Sequence, residues 1–154
     1  MRQLERMGCG DSARSVVGGV EPTDALVQIA FTVMEVLTRV AADYDLSLTQ
    51  LRVFGILRDR TPRMAQLADF LGLEKSTMSG LISRAEERGM LMRRPSAYDA
   101  RVAEVVMTEA GLAIATRVED SLRAELAPVA SQLNQPEIKL LERLTQFLQS
   151  RVKP

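Results

Sequence analysis

The stretch that most limits how this chain can fold is MAQLADFLGLEKSTMSGLISRAEERG, residues 64–89. Its apolar positions recur at steps of three and four, the period of a helix and not of a strand. Gly72 breaks the pattern after Leu71, and glycine is the residue type that best tolerates the left-handed cap closing a helix. Leu73 and Glu74 lead into a second run beginning at Lys75, which Gly89 closes. Two short helices around a tight glycine turn are the helix-turn-helix signature, whose second helix does the reading when the ligand is DNA. In that second helix Met78, Leu81, Ile82 and Ala85 share one side, so Lys75, Ser76, Thr77, Ser79, Gly80 and Arg84 point elsewhere.

The neighbouring segments supply the other parts of such a lobe. Ser47-Leu48-Thr49-Gln50 fits a capping box opening a helix over LTQLRVFGILRD, which Thr61-Pro62 stops. Downstream, Leu91 to Arg94 reads as a short strand, Pro95 to Ala100 as a loop, and Arg101 to Met107 as a second strand. In that strand Ala103, Val105 and Met107 alternate with Val102, Glu104 and Val106. A two-stranded ribbon after a helix-turn-helix is a wing. Asp99 and Arg101 sit at its mouth, and in an extended chain residues two apart share a face, so the carboxylate can aim the guanidinium.

Long helices flank this lobe. From Pro22 onward Leu26, Ile29, Ala30, Val33, Leu37, Val40 and Ala41 form a helical stripe that Val27, Phe31, Met34 and Val36 widen. Thr108 caps a helix with a seam of Ala115, Val118, Leu122, Leu126, Val129 and Leu133, in which Pro128 predicts a kink. Asn134 and Glu137 cap a last helix striped by Ile138, Leu141, Leu144, Leu148 and Val152. Apolar faces that wide around a small lobe predict an interface between copies of the chain. The expected fold is therefore mainly α (α+β). Residues 1–20 read as a flexible arm, 21–46 as an N-terminal dimerisation helix, 47–107 as the winged lobe and 108–154 as C-terminal dimerisation helices.

Charge and composition narrow the chemistry. The chain balances twenty basic against twenty acidic side chains, so no polyanion partner is announced by the total. Residues 47–107, however, hold ten basic and seven acidic groups, whereas residues 1–46 hold four and seven. Only the middle is a candidate phosphate-facing surface. With no histidine and the single cysteine Cys9, His/Cys zinc sites, Ser-His-Asp triads and disulfide frameworks are excluded. No paired-carboxylate motif or phosphate-cradling glycine loop suggests an enzyme, and no cofactor is expected. Uncharged apolar runs fall short of the ~20 residues that span a bilayer. The expectation is a cytoplasmic protein with no membrane partner.

Across residues 47–111 the pieces LTQLRVFGIL, LADFLGL, Glu86-x-x-Gly89-x-Leu91 and Asp99-x-Arg101 before Thr108-x-x-Gly111 carry a resemblance. The segment resembles the MarR (multiple antibiotic resistance regulator) family of winged-helix transcription factors. The flanking helices match in placement only. The resemblance implies a homodimer whose first and last two helices interdigitate, with the two lobes on successive major grooves of a near-palindromic operator. Such proteins are usually repressors, and many release double-stranded DNA when a small aromatic or phenolic effector binds or a cysteine is oxidised.

Carried over by position, Ser76, Thr77, Ser79 and Arg84 face the major groove, Arg101 enters the minor groove with Asp99 positioning it, and Thr49, Gln50 and Arg63 touch phosphates. Two departures stand out: relatives often have a larger polar or basic side chain at the place of Gly80, and more positive charge in the wing. Each reading has a plainer alternative: a surface ion pair for Asp99 and Arg101, helix-start caps for the serines and threonine, a pairing of Arg84 with Glu87, and an ordinary free thiol for Cys9. For the chain as a whole, the alternative is a winged-helix protein-interaction module without DNA binding.

Overall fold

The computed structural model describes residues 21–97, 99 and 101–151. The arm over 1–20, with Cys9, and the last seam residue Val152 lie outside those residues. Helix α1 (Pro22–Asp43) starts where the Glu21 carboxylate accepts the N–H groups of Thr23 at 2.8 Å and Asp24 at 3.3 Å. Pro22 fills a first-turn place where a missing N–H costs nothing. The helix ends as Leu46 N–H returns to the Ala41 carbonyl, a reversal that puts Asp45 at φ 53°. Aspartate enters this left-handed region more readily than most side chains.

Helix α2 (Leu48–Asp59) begins with the expected capping box, Ser47 N–H donating to Gln50 Oε1 and Gln50 N–H to Ser47 Oγ. Helices α3 (Met64–Leu71) and α4 (Lys75–Glu87) meet at Gly72, whose φ of 65° is the left-handed cap the sequence required. Strands β1 (Leu91–Pro95) and β2 (Ala103–Met107) pair antiparallel, from Leu91 opposite Met107 to Pro95 opposite Ala103. An isolated bridge between Arg63 and Glu104, with Val105 N–H on the Pro62 carbonyl at 3.1 Å, ties β2 to the start of α3. Helices α5 (Glu109–Ala130) and α6 (Gln135–Arg151) complete the chain.

The core lies inside the lobe, where Val53, Leu67, Met78, Ile82, Met90 and Val105 are sealed from solvent. Val40 and Ala41 of α1 and Val118 of α5 enter the same cluster, so the lobe is fastened to the long helices from one side. The Tyr44 hydroxyl donates to the Arg117 carbonyl and lies 2.8 Å from Ser121 Oγ, while Arg88, just past α4, donates to the Asp45 carbonyl at 2.6 Å. The α1–α2 turn thus joins α5 to the end of α4. Elsewhere the long helices are bare: Ile29 and Phe31 on α1, Val129 on α5, and Leu140 and Phe147 on α6 are exposed. No described residue of α6 is buried. Length and composition alone would let α1 cross a membrane. It carries Glu35 and Arg39 within that span, however, and Arg39 pairs with Glu125 of α5 at 2.7 Å.

Three expectations are corrected. The second strand starts at Ala103 and not at Arg101, because Arg101 N–H is taken by Asp99 Oδ1 at 3.0 Å and Val102 N–H by the Asp99 carbonyl at 2.9 Å. A turn built by the aspartate side chain has removed the donors a ladder needs. Strict alternation also fails along β2, since Glu104 is buried beside Val105 under its pairing with Arg94 at 3.7 Å and its bridge to Arg63. Finally, α5 ends at Ala130, two residues after Pro128, which stands inside its last turn, so Leu133 of the expected seam falls beyond the helix. Ser131 Oγ and Gln132 Nε2 cap that end through the Pro128 carbonyl.

Candidate nucleic-acid interface

On α4 the burial splits as the spacing predicts. Met78, Leu81, Ile82 and Ala85 are buried, while Lys75, Ser76, Thr77, Ser79, Gly80 and Arg84 are exposed. The Glu74 side chain makes no cap hydrogen bond at the N-terminus of α4, and the N–H groups of a helix's first turn favour an anion. Arg84 has no carboxylate partner among the described residues, so the expected alternative, a pairing with Glu87, is not formed. A Cβ added at Gly80 would meet nothing within 4 Å. Gly80→Ala is therefore expected to stabilise the fold by about 0.5–1 kcal/mol through helix propensity alone, read as a raised urea midpoint with an unchanged m-value.

The wing brings Asp99 and Arg101 together. Oδ1 of Asp99 accepts from the Arg101 backbone N–H at 3.0 Å and from its Nε at 3.3 Å. The turn makes this contact, not the extended face-sharing expected from the sequence. The result is a guanidinium held at its root yet 92% exposed, against 40% for the aspartate. Tyr98 and Ala100 lie outside the described residues.

Of the remaining expected residues, Arg63 is the N-terminal cap of α3, exposed, with its N–H on Gln66 Oε1 and its backbone bridged to Glu104. Thr49 and Gln50 occupy the first turn of α2, half-buried, and the capping box already uses the Gln50 carbonyl. They stand on a different element from the α4 face and the wing.

One group was missed by sequence reasoning. Arg93 of β1 reaches across to α4, donating from Nη1 to Glu86 Oε2 at 2.6 Å and from Nη2 to the Ser79 carbonyl and Ser83 Oγ, both at 3.2 Å. Its backbone N–H also donates to Glu86 Oε1. Only the strand phase of Arg93 hinted at this.

Between α2 and α5 lies a cavity of about 110 Å³, walled by Leu51, Phe54, Gly55, Ala115, Val118 and Leu122, with Arg58 and Glu119 at its edge. The Arg58 guanidinium is shared by Asp59 and Glu119 at 3.2 Å each. Its hydrogen bond holds the Asp59 carboxyl below the usual carboxylate range. The described residues contain no group of three or more His, Cys, Asp or Glu side chains placed to hold a metal.

A helix-turn-helix with one polar, partly basic face, followed by a ribbon that presents a fixed guanidinium, defines a winged-helix DNA-binding protein. Residues 44–102 match the model of the MarR family. The chain is 32% identical over 107 residues to the HTH-type transcriptional regulator MgrA of Staphylococcus aureus, spanning 69% of this chain and 71% of that one. Its fold is similar to CouR from Rhodococcus jostii RHA1 bound to p-coumaroyl-CoA, with a TM-score of 0.72, 19% identity, and 84% and 90% of the two chains covered. It is also similar to NadR in complex with 4-hydroxyphenylacetate, with a TM-score of 0.71, 17% identity, and 85% and 94% covered. The chain belongs to the MarR family: it is a DNA-binding transcription regulator and not an enzyme.

Proposed function

We propose that the chain is a cytoplasmic, ligand-responsive repressor that binds a near-palindromic operator as a homodimer. Ser76, Thr77, Ser79 and Arg84 meet base edges and phosphates in the major groove, and Arg101 enters the flanking minor groove. Arg63, Thr49 and Gln50 contact phosphates beside them. The observation that carries this reading is the Arg101 guanidinium, rooted by Asp99 and otherwise open to solvent. A planar, permanently charged group suits the strongly negative potential of a narrow minor groove.

Homodimerisation is supported by the bare apolar faces of α1, α5 and α6. An effector site is supported by the cavity between α2 and α5, since an apolar cavity of about 150 Å³ takes up benzene and this one nears that size. The ligands named for CouR and NadR suggest a phenolic or aryl acid class. Repression rests on the family, in which repressors predominate.

Selection of bound sequences from random duplexes tests the reading. The expected product is a two-fold symmetric motif with half-sites about one helical turn apart, bound less tightly as salt rises because phosphate contacts release counterions. Running the selection beside a panel of aryl acids should reduce recovery for the effector class. A chain that enriches no common sequence would remove the operator from the proposal and favour a protein-interaction role.

A further inference from the structure

We propose that Arg93 is a positioning residue for DNA reading, locking the wing to α4 so that Arg101 and the α4 face engage one duplex together. This rests on the operator-binding reading above.

Ser79, Ser83 and Glu86 follow one another at steps of four and three, so they lie on one stripe of α4 across successive turns. Arg93 grips all three, and its backbone N–H adds a second bond to Glu86. The ion pair is largely shielded, its side chains 32% and 25% exposed, so salt screens it less than the open pairs elsewhere on the surface. With its charge matched by Glu86, Arg93 is not itself a phosphate contact.

Leu91 and Val105 seat the base of the ribbon in the core beside Met78 and Ile82, and beyond that base Arg93 supplies the side-chain hydrogen bonds between β1 and α4 among the described residues. The first half of α4 is built from Ser76, Thr77, Ser79 and Gly80, all weak helix formers, and lacks a side-chain cap. A two-stranded ribbon is marginal alone. A backbone anchor holds the far strand, where Val105 and Glu104 meet Pro62 and Arg63 at the start of α3. Without Arg93 the ribbon can pivot about that anchor, carrying Arg101 away from the plane of the α4 face.

A double-mutant cycle on the full-length protein tests this, using the duplex recovered by selection and thermal unfolding as a folding check. Arg93→Met keeps the apolar stem and removes the fork, and is expected to weaken binding about tenfold. Added to Arg101→Ala, it should weaken binding by much less than the product of the two single losses, because an Arg101 already absent cannot be misaimed. Should Arg93→Met unfold, Glu86→Gln takes its place in the cycle with the same expectation. Losses that multiply, or a single variant that binds as the wild type does, overturn the positioning role while leaving operator binding intact. A wild-type chain that enriches no duplex overturns both.

Discussion

Gly111→Ala is expected to destabilise the protein by about 3 kcal/mol or more, the upper end for forcing atoms into a packed site. A Cβ at position 111 would stand 1.9 Å from the Met90 carbonyl oxygen and 2.9 Å from its carbon, a collision with backbone that no rotamer change relieves. That backbone cannot simply withdraw. The Met90 carbonyl accepts Thr108 N–H at 3.0 Å, and Thr108 Oγ lies 2.6 Å from the Gly89 carbonyl while accepting Gly111 N–H at 3.0 Å. Moving α5 outward would break this junction and lift Val118 from the core it shares with Val53 and Met90. For a chain of this size the loss corresponds to a fall of about 6–12 °C in Tm. A variant melting within a degree or two of the wild type would mean that α5 slides off β1 cheaply and that the lobe is not fastened at this point.

That junction also marks where the sequence stopped being legible. Helices α2, α3 and α4 fall where their caps and glycines put them, because Ser47, Gln50, Gly72 and Gly89 act on their own few residues. The two faces of α4 follow from helical geometry in the same way. Gly111 was visible only as part of a family motif, since its reason is a carbonyl some twenty residues away in sequence. The Arg93 grip on α4 is likewise a contact between elements, set by how the ribbon docks, and no periodicity encodes docking. Glu104 misled the strand pattern for the same reason: its buried carboxylate is matched by Arg94, a partner on the facing strand.

The wing is a subtler case. The sequence identified Asp99 and Arg101 as partners, but for a reason that the chain does not use. Extended residues would have shared a face, whereas the aspartate instead accepts the Arg101 N–H and bends the chain into a turn. The consequence for function is a tighter one, because the carboxylate fixes both the backbone and the Nε of the same residue. Of the guanidinium, Nε is held by Asp99, and the side chain as a whole faces solvent.

Arg101→Ala is therefore expected to lower operator affinity by about 1–3 kcal/mol, roughly fivefold to more than a hundredfold, without lowering Tm. The side chain is 92% exposed and its ion pair with Asp99 is a surface pair, so folding loses almost nothing when it is removed. The loss falls on binding because Ser96 and Ala97, the described residues beside it in the turn, bring no positive charge to the tip. In a wing with several cations, one deletion would be shared among the others; here it removes the described cation at the tip. Asp99→Ala should reproduce part of the effect, since Arg101 then keeps its charge but must be ordered at the moment of binding. Gel-shift titration at fixed salt measures both variants, and an unchanged midpoint for Arg101→Ala would remove the wing from the interface and leave recognition to α4 alone.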